Sequence, residues 1–143
     1  MRSIFVFIKK SDKEQVISCL NSICTKQNGS ADAWIIETNG EPVLYVEFSE
    51  NTFKNEIGVN EWNDLVSKLG VEPKMSISVD ISGRHDGKNE VMKFLASFLE
   101  INEGYVMDDY TDYAWSFNEI NNSVLVEGHP FFDYNGWSIK GGK

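Results

Sequence analysis

Residues 33–48, AWIIETNGEPVLYVEF, decide the fold class of this chain. Two runs rich in β-branched and aromatic residues flank the pair Asn39-Gly40, which tolerates the positive φ angles of a type I′ turn. The stretch therefore predicts a β-hairpin with strands over 33–38 and 42–48. A hairpin connection favours an antiparallel sheet over a parallel one, because parallel strands need long crossovers.

More strands are predicted on both sides of this hairpin, over 3–9, 74–82 and 105–107. The second of these alternates apolar and polar residues, which is typical of an antiparallel strand with one face in water. Residues 123–126 are a further candidate strand. The sheet is therefore expected to contain about five strands.

Apolar residues recur at helical spacing in the segments 12–27, 59–69 and 87–101. The expected caps are a capping box of Ser11 with Glu14 and a closing Asn28-Gly29 for the first helix, Gly70 for the second and Asp86 for the third. With the strands, these helices predict an α+β fold, in which one domain over 1–143 packs three helices on one face of a mostly antiparallel sheet. The tail from about residue 136 is expected to be frayed.

The overall charge restricts the possible partners. The net charge is −9 and the pI is near 4.6, which argues against direct nucleic-acid binding because phosphates are neutralised by clustered Lys and Arg. The apolar run 4–8 is too short for a signal-peptide core, and no stretch has the length of a membrane span. Cys19 and Cys24 point away from each other on the first predicted helix and are expected to be reduced, with Cys24 buried. These features predict a cytoplasmic protein.

One third of the chain combines acids with aromatics. Between Phe94 and Ile139 it has eight carboxylates, eleven of the eighteen aromatic residues and no Lys or Arg. A field of one sign steers a partner of the opposite sign, and aromatic side chains anchor protein interfaces. This acidic third therefore predicts a surface that receives a basic partner. The alternative is that its aromatics form the core and its acids only keep the protein in solution.

The face expected to bind the partner lies within residues 108–119. The predicted contact residues are Asp108, Asp109, Tyr110, Asp112, Tyr113 and Glu119. The four acids among them are expected to lie outside, and Trp115 in the core. Ser116 and Glu119 have the spacing of a capping box, so a helix is expected to begin after Ser116.

No stretch predicts a catalytic or metal site, so no cofactor is expected. The acids of 108–112 fit no EF-hand spacing, and a turn whose carboxylates accept backbone N–H groups is the preferred interpretation. The segment 82–88 joins a strand to a helix but lacks the glycine spacing of phosphate-binding loops. Neither His85 nor His129 stands in a context that activates a nucleophile. The chain is therefore expected to be a non-enzymatic binding protein.

Two other functions stay open. One is a small metal-dependent enzyme that uses Asp108, Asp109 and His85. The other is an acidic mimic of DNA that inhibits a nucleic-acid-binding protein, and such a mimic would bind many basic proteins rather than one.

Three short stretches carry a family resemblance: VDISGR at 79–84, GYVMDD at 104–109 and AWSFNEI at 114–120. In these stretches the chain resembles the small immunity proteins of bacterial toxin systems, in particular the SitI-type proteins. The similarity covers about residues 76 to 120. It implies a cytoplasmic inhibitor that binds the toxic C-terminal domain of a secreted effector and blocks its active site. Such toxins are often basic nucleases, and the resemblance implies no catalytic residues in the inhibitor.

Overall fold

The computed structural model describes residues 2–50, 58–108 and 113–132. In chain order the elements are β1 (Arg2–Lys10), α1 (Lys13–Ile23), β2 (Lys26–Gln27), β3 (Ala33–Thr38), β4 (Glu41–Ser49), α2 (Val59–Leu69), β5 (Met75–Ile81), α3 (Lys88–Ile101), β6 (Glu103–Asp108) and α4 (Phe117–Asn121). The predicted α+β class is confirmed. Within the described ranges no helix is both long and apolar enough to cross a bilayer.

The strands form one antiparallel sheet in the order β2-β3-β4-β5-β1-β6. The first strand of the chain lies inside the sheet, with Val6 opposite Ile77 of β5 on one side and Val106 of β6 on the other. The described sheet has six strands rather than about five, because the short β2 pairs with β3 at one edge.

Helices cover both faces of the sheet, so the expectation that they share one face is wrong. Ile4, Val6 and Ile8 of β1 belong to the core cluster that contains the buried residues of α1 and α3. Phe7 belongs to a second cluster, formed with the buried residues of α2. Successive side chains of a strand point to opposite faces. The uninterrupted apolar run of β1 is therefore the sequence signal of a strand covered on both sides.

The first helix begins and ends differently from the prediction. Its N-cap is Asp12, whose carboxylate accepts a hydrogen bond from the Gln15 N–H at 2.7 Å, whereas the Ser11 hydroxyl donates to the Lys10 carbonyl. The helix stops at Ile23 because the following residues pair with β3, with Lys26 opposite Ile35. The predicted closing pair at 28–29 lies in the turn between β2 and β3 instead.

The third helix is capped by Gly87 rather than by Asp86. The φ angle of Gly87 is 74°, and a Cβ built there would lie 2.5 Å from Cγ2 of Ile81. Both the left-handed backbone and this close approach favour glycine over any other residue. The predicted strand at 123–126 is also wrong, since only a single bridge joins Val126 to His129.

Several local predictions are confirmed. Asn39 and Gly40 have φ angles of 54° and 82°, as a type I′ hairpin turn requires. Gly70 ends α2 in the left-handed conformation. Cys19 and Cys24 are both buried and carry free thiols. The predicted frayed tail from about 136 lies outside the described residues.

Candidate functional site

The structure describes three of the six predicted contact residues, namely Asp108, Tyr113 and Glu119. Asp109, Tyr110 and Asp112 lie outside the described residues. The three described side chains do not share one environment, because the first is buried while the other two are half-buried.

Asp108 lies inside the protein, so the expectation that it faces solvent is wrong. It is the last residue of β6 and pairs with Ile4 of the central strand. Its side chain is only 6% exposed, and its carboxylate accepts a hydrogen bond from the Phe132 N–H at 2.8 Å. A buried carboxylate must be hydrogen-bonded to offset its desolvation. Asp108 therefore anchors the chain at Phe132.

The aromatics of the acidic third divide between core and surface. Among its described aromatics, five are buried: Phe94, Phe98, Trp115, Phe131 and Phe132. The prediction that Trp115 is a core residue is confirmed, since it is fully buried and makes edge-to-face contacts with Tyr113 and Phe131. The alternative core interpretation thus holds for these aromatics. Tyr113, Tyr105 and Phe117 stay half-buried.

Tyr113 and Glu119 are joined by a short hydrogen bond from the tyrosine hydroxyl to the glutamate carboxylate. The same carboxylate accepts from the Ser116 N–H at 2.9 Å, and the Ser116 hydroxyl accepts from the Glu119 N–H at 3.1 Å. This is the predicted capping box at the start of α4, and it is confirmed. Glu119 therefore connects Tyr113 to the first turn of α4.

These contacts shift both pKa values. The hydrogen bond to Glu119, helped by burial, raises the pKa of Tyr113 to about 12. Burial works to raise the pKa of Glu119, but the N–H of Ser116, the hydroxyl of Tyr113 and the nearby Lys68 outweigh it, so that this pKa lies below its usual value. Glu119 is therefore a carboxylate and Tyr113 a neutral phenol at neutral pH.

A lysine from α2 completes this group. The Lys68 ammonium lies 3.4 Å from the centroid of the Tyr113 ring and donates to the Ala114 carbonyl at 2.8 Å. Burial lowers the pKa of Lys68, and the carboxylates of Glu119 and Asp64 partly offset that effect. Sequence reasoning missed Lys68 because it lies far from the acidic third along the chain. Its only sequence signal is that it immediately precedes Leu69, a buried residue of α2.

Lys68 and Tyr113 line a surface pocket between α2 and the chain after α4. The lining residues include Asp64, Ser67, Lys68, Tyr113, Val126 and Glu127. The volume is about 500 Å³, within the range of ligand pockets. Neither Asp64 nor Glu127 is among the predicted contact residues.

The wall that carries Glu127 is a tight turn. Val126 and His129 exchange two backbone hydrogen bonds of 2.8 and 3.0 Å, and between them Glu127 and Gly128 have φ angles of 55° and 86°. This is the geometry of a two-residue type I′ turn. It places the exposed Glu127 at the tip of the turn.

A second pocket of about 500 Å³ lies between β3 and α3 and contains Glu37 and Glu90. Its acids are already engaged, because Glu37 forms an ion pair with Lys26 at 3.1 Å and Glu90 accepts from the Thr38 hydroxyl at 2.9 Å. The first pocket, which contains residues of the acidic third, is the better candidate for a binding site.

Neither of the two pockets described above is lined by a residue of the segment 82–88. The guanidinium of Arg2 donates to the backbone carbonyls of Ser82, His85 and Asp86, the last at 2.6 Å. Its donors there serve the loop itself. Across the described ranges, no group of three His, Cys, Asp or Glu side chains is arranged to hold a metal ion.

Fold and pocket together define an α+β protein with a partly acidic surface pocket beside the edge strand β6. Comparison of the chain with models of protein families, with curated proteins and with solved structures finds no match.

Proposed function

We propose that this protein is a non-enzymatic inhibitor that binds a basic protein, and that this partner is the toxic domain of a bacterial effector. It would act in the cytoplasm as an immunity protein, without a cofactor and without direct contact to nucleic acid or a membrane. Its binding face includes Tyr113, which lines the pocket, and Glu119, which accepts a hydrogen bond from the Tyr113 hydroxyl. The predicted contacts Asp109, Tyr110 and Asp112 belong to the same proposal.

The observation that carries the proposal is the unequal pairing of charges in the pocket. The ammonium of Lys68 is engaged by the Ala114 carbonyl and the Tyr113 ring. The carboxylates of Asp64 and Glu127 are exposed, and no cation of the described residues forms an ion pair with either. An excess of negative charge at a concave site raises the local concentration of a basic partner.

The net charge of the whole chain supports the same direction. At −9, the protein repels acidic partners and attracts basic ones before contact is made. A toxin that acts on nucleic acid needs a basic surface for phosphates, and carboxylates at that surface compete with its substrate. An acidic inhibitor is therefore a direct solution for neutralising such a toxin.

The metal-dependent enzyme receives less support. That hypothesis needs the Asp108 carboxylate as a ligand, whereas this carboxylate is buried and accepts the Phe132 N–H. A hard cation takes six or more oxygen ligands in most protein sites. Freeing Asp108 for a metal would leave a buried backbone N–H without its acceptor.

The proposal is tested by co-expression with the protein encoded immediately upstream of this gene, followed by affinity capture at low and at high salt. We expect a one-to-one complex that rescues growth from an otherwise lethal neighbour. Its affinity is expected to fall as salt is raised, because salt screens exposed charges. A neighbour that is neither toxic nor captured contradicts the assignment. Capture of many unrelated DNA-binding proteins would favour the DNA mimic instead.

Charge reversal at the pocket tests whether its acids contact the partner. Asp64→Lys combined with Glu127→Lys is expected to weaken the complex and to flatten its salt dependence. The matched control is Glu14→Lys combined with Glu100→Lys, which makes the same charge change at exposed acids of α1 and α3. Equal losses in the two double variants would mean that only net charge matters and that the pocket is not the contact.

A further inference from the structure

An exposed apolar pair lies next to the acidic pocket. Val124 and Leu125 precede the lining residue Val126, and they are 38% and 61% exposed. Leu125 is one of the few large apolar side chains of the described residues that face water. Apolar surface beside a charged rim is the usual arrangement of a protein contact.

The pocket is compatible with a cation. Its wall already holds one ammonium, that of Lys68, on the ring of Tyr113 and the carbonyl of Ala114. That ammonium also interacts electrostatically with Glu119 and, more weakly, with Asp64. The carboxylates of Asp64, on α2, and Glu127, on the turn, are exposed and form no ion pair with a described cation, so both can accept hydrogen bonds from a second cation that reaches the pocket from outside.

We infer that the pocket receives an arginine side chain of the basic partner, between Asp64 and Glu127, while Leu125 packs against apolar residues that flank this arginine. The inference rests on the proposed function and names the chemistry of its contact. Arginine fits better than lysine, because its planar guanidinium has five donors and is more weakly hydrated than an ammonium. A guanidinium can therefore serve two carboxylates from different elements at once.

In the experiment, a small probe, N-acetyl-arginine methylamide, is titrated into the whole chain. Binding is measured from the changes in the backbone amide NMR chemical shifts of the protein. The neutral control probe is the matching citrulline derivative, which has a similar shape without the charge. We expect saturable shifts with the arginine probe at the pocket, including Asp64, Leu125 and Glu127, and none with citrulline. A lysine derivative is expected to bind more weakly than arginine.

Single substitutions show which carboxylates bind the arginine probe. Asp64→Asn and Glu127→Gln are each expected to weaken binding of the arginine probe about three- to fivefold, as the loss of one exposed charge pair does. Glu100→Gln removes an exposed acid that lies outside the pocket and is expected to leave binding unchanged. Absence of saturable shifts, equal binding of citrulline, or an equal effect of Glu100→Gln would overturn the inference.

The outcome can be told apart from that of the proposed function. If the upstream partner is captured but Asp64→Asn and Glu127→Gln leave both its affinity and the probe shifts unchanged, the inhibitor assignment stands and the arginine pocket is wrong. If the arginine probe binds and no basic protein is captured, the pocket chemistry stands and the toxin assignment is wrong. Leu125→Ser is expected to weaken the protein complex but to leave the shifts of the small probe intact.

Discussion

The ammonium of Lys68 lies 3.4 Å from the centre of the Tyr113 ring. A cation of α2 therefore contacts an aromatic residue of the acidic third of the chain. Between Phe94 and Ile139 the chain has no Lys or Arg of its own. The contact fastens α2 to the residues that follow β6, because Lys68 also donates to the Ala114 carbonyl. The Lys68 side chain therefore both stabilises the packing of α2 and lines the wall of the pocket.

Lys68→Met is expected to lower the free energy of unfolding by about 1 kcal/mol, since methionine keeps an apolar stem but loses the cation–π contact and the charged donor. Lys68 is exposed, which places this loss of stability at the low end of the range for cation–π contacts. Urea unfolding measures it. Lys74→Met is the control, because Lys74 is exposed and forms no ion pair with a described residue. Equal stability of the two variants would contradict this role of Lys68.

Asp108→Ala is expected to destabilise the protein by about 2 kcal/mol, because the buried Phe132 N–H loses its acceptor. Affinity for the partner, corrected for the folded fraction, is expected to stay unchanged. Thermal unfolding and binding of the same variant separate the two effects. Glu100→Ala, an exposed acid of the acidic third, is expected to stay within about 0.5 kcal/mol of the parent protein. A loss of affinity without a loss of stability would restore Asp108 to the contact surface.

The predictable parts of this fold are those in which the residues that specify a turn or a helix cap lie within a few positions of it. The pair Asn39-Gly40 specifies its own turn, and Ser116 and Glu119 cap the same helix start. The end of α1 was not predictable, because helical spacing continues through Cys24 and only pairing of β2 with the distant β3 stops the helix. Local patterns carry no information on such non-local competition.

The candidate site was predictable only in part, for the same reason. Tyr113 and Glu119 are predicted contact residues because they stand close together among acids and aromatics. The contact of Lys68 with Tyr113 and the bond of Asp108 to Phe132 join residues from separate parts of the chain, and neither has a sequence period that marks it. Carboxylates are rarely buried, so the sequence predicts a surface position for Asp108, and no sequence pattern marks the Phe132 N–H that makes its burial possible.

The thiols of Cys19 and Cys24 are expected to be inert in the native protein. Burial raises the pKa of both, that of Cys24 to about 12, and only the thiolate reacts with a disulfide reagent. With Ellman's reagent at about pH 8, we expect negligible reaction until urea unfolds the chain, and then two thiols per molecule. Immediate reaction of either thiol without urea would show that it is accessible.

Gly104→Ala is expected to destabilise the sheet by about 2 kcal/mol, because the new Cβ would lie 2.4 Å from the Phe7 carbonyl oxygen of the neighbouring strand. The opposing group is backbone inside the sheet, so it cannot rotate away. Gly83→Ala is the matched control, since a Cβ there meets no atom within 4 Å. Equal unfolding free energies of these two variants would contradict the close approach of β6 to β1.

The hydrogen bond between Tyr113 and Glu119 is expected to weaken at low pH, where Glu119 is protonated, and at high pH, where Tyr113 is deprotonated. The pKa of folded Glu119 lies below its usual value of 4.5, so its contribution to stability is complete above about pH 4.5 and is lost as the pH falls through the folded pKa. The pKa of Tyr113 is raised from 10.0 to about 12, so its contribution is complete below pH 10 and is lost as the pH rises toward 12.

Glu119→Gln removes the acidic branch of this dependence, because glutamine does not titrate. We expect the difference in unfolding free energy between parent and variant to be constant from about pH 5 to pH 9 and to shrink toward pH 3. Urea unfolding at closely spaced pH values measures this difference. Glu100→Gln makes the same chemical change at an exposed acid and is the matched control. A difference for Glu119→Gln that persists undiminished at pH 3 would mean that its carboxylate is not what holds Tyr113.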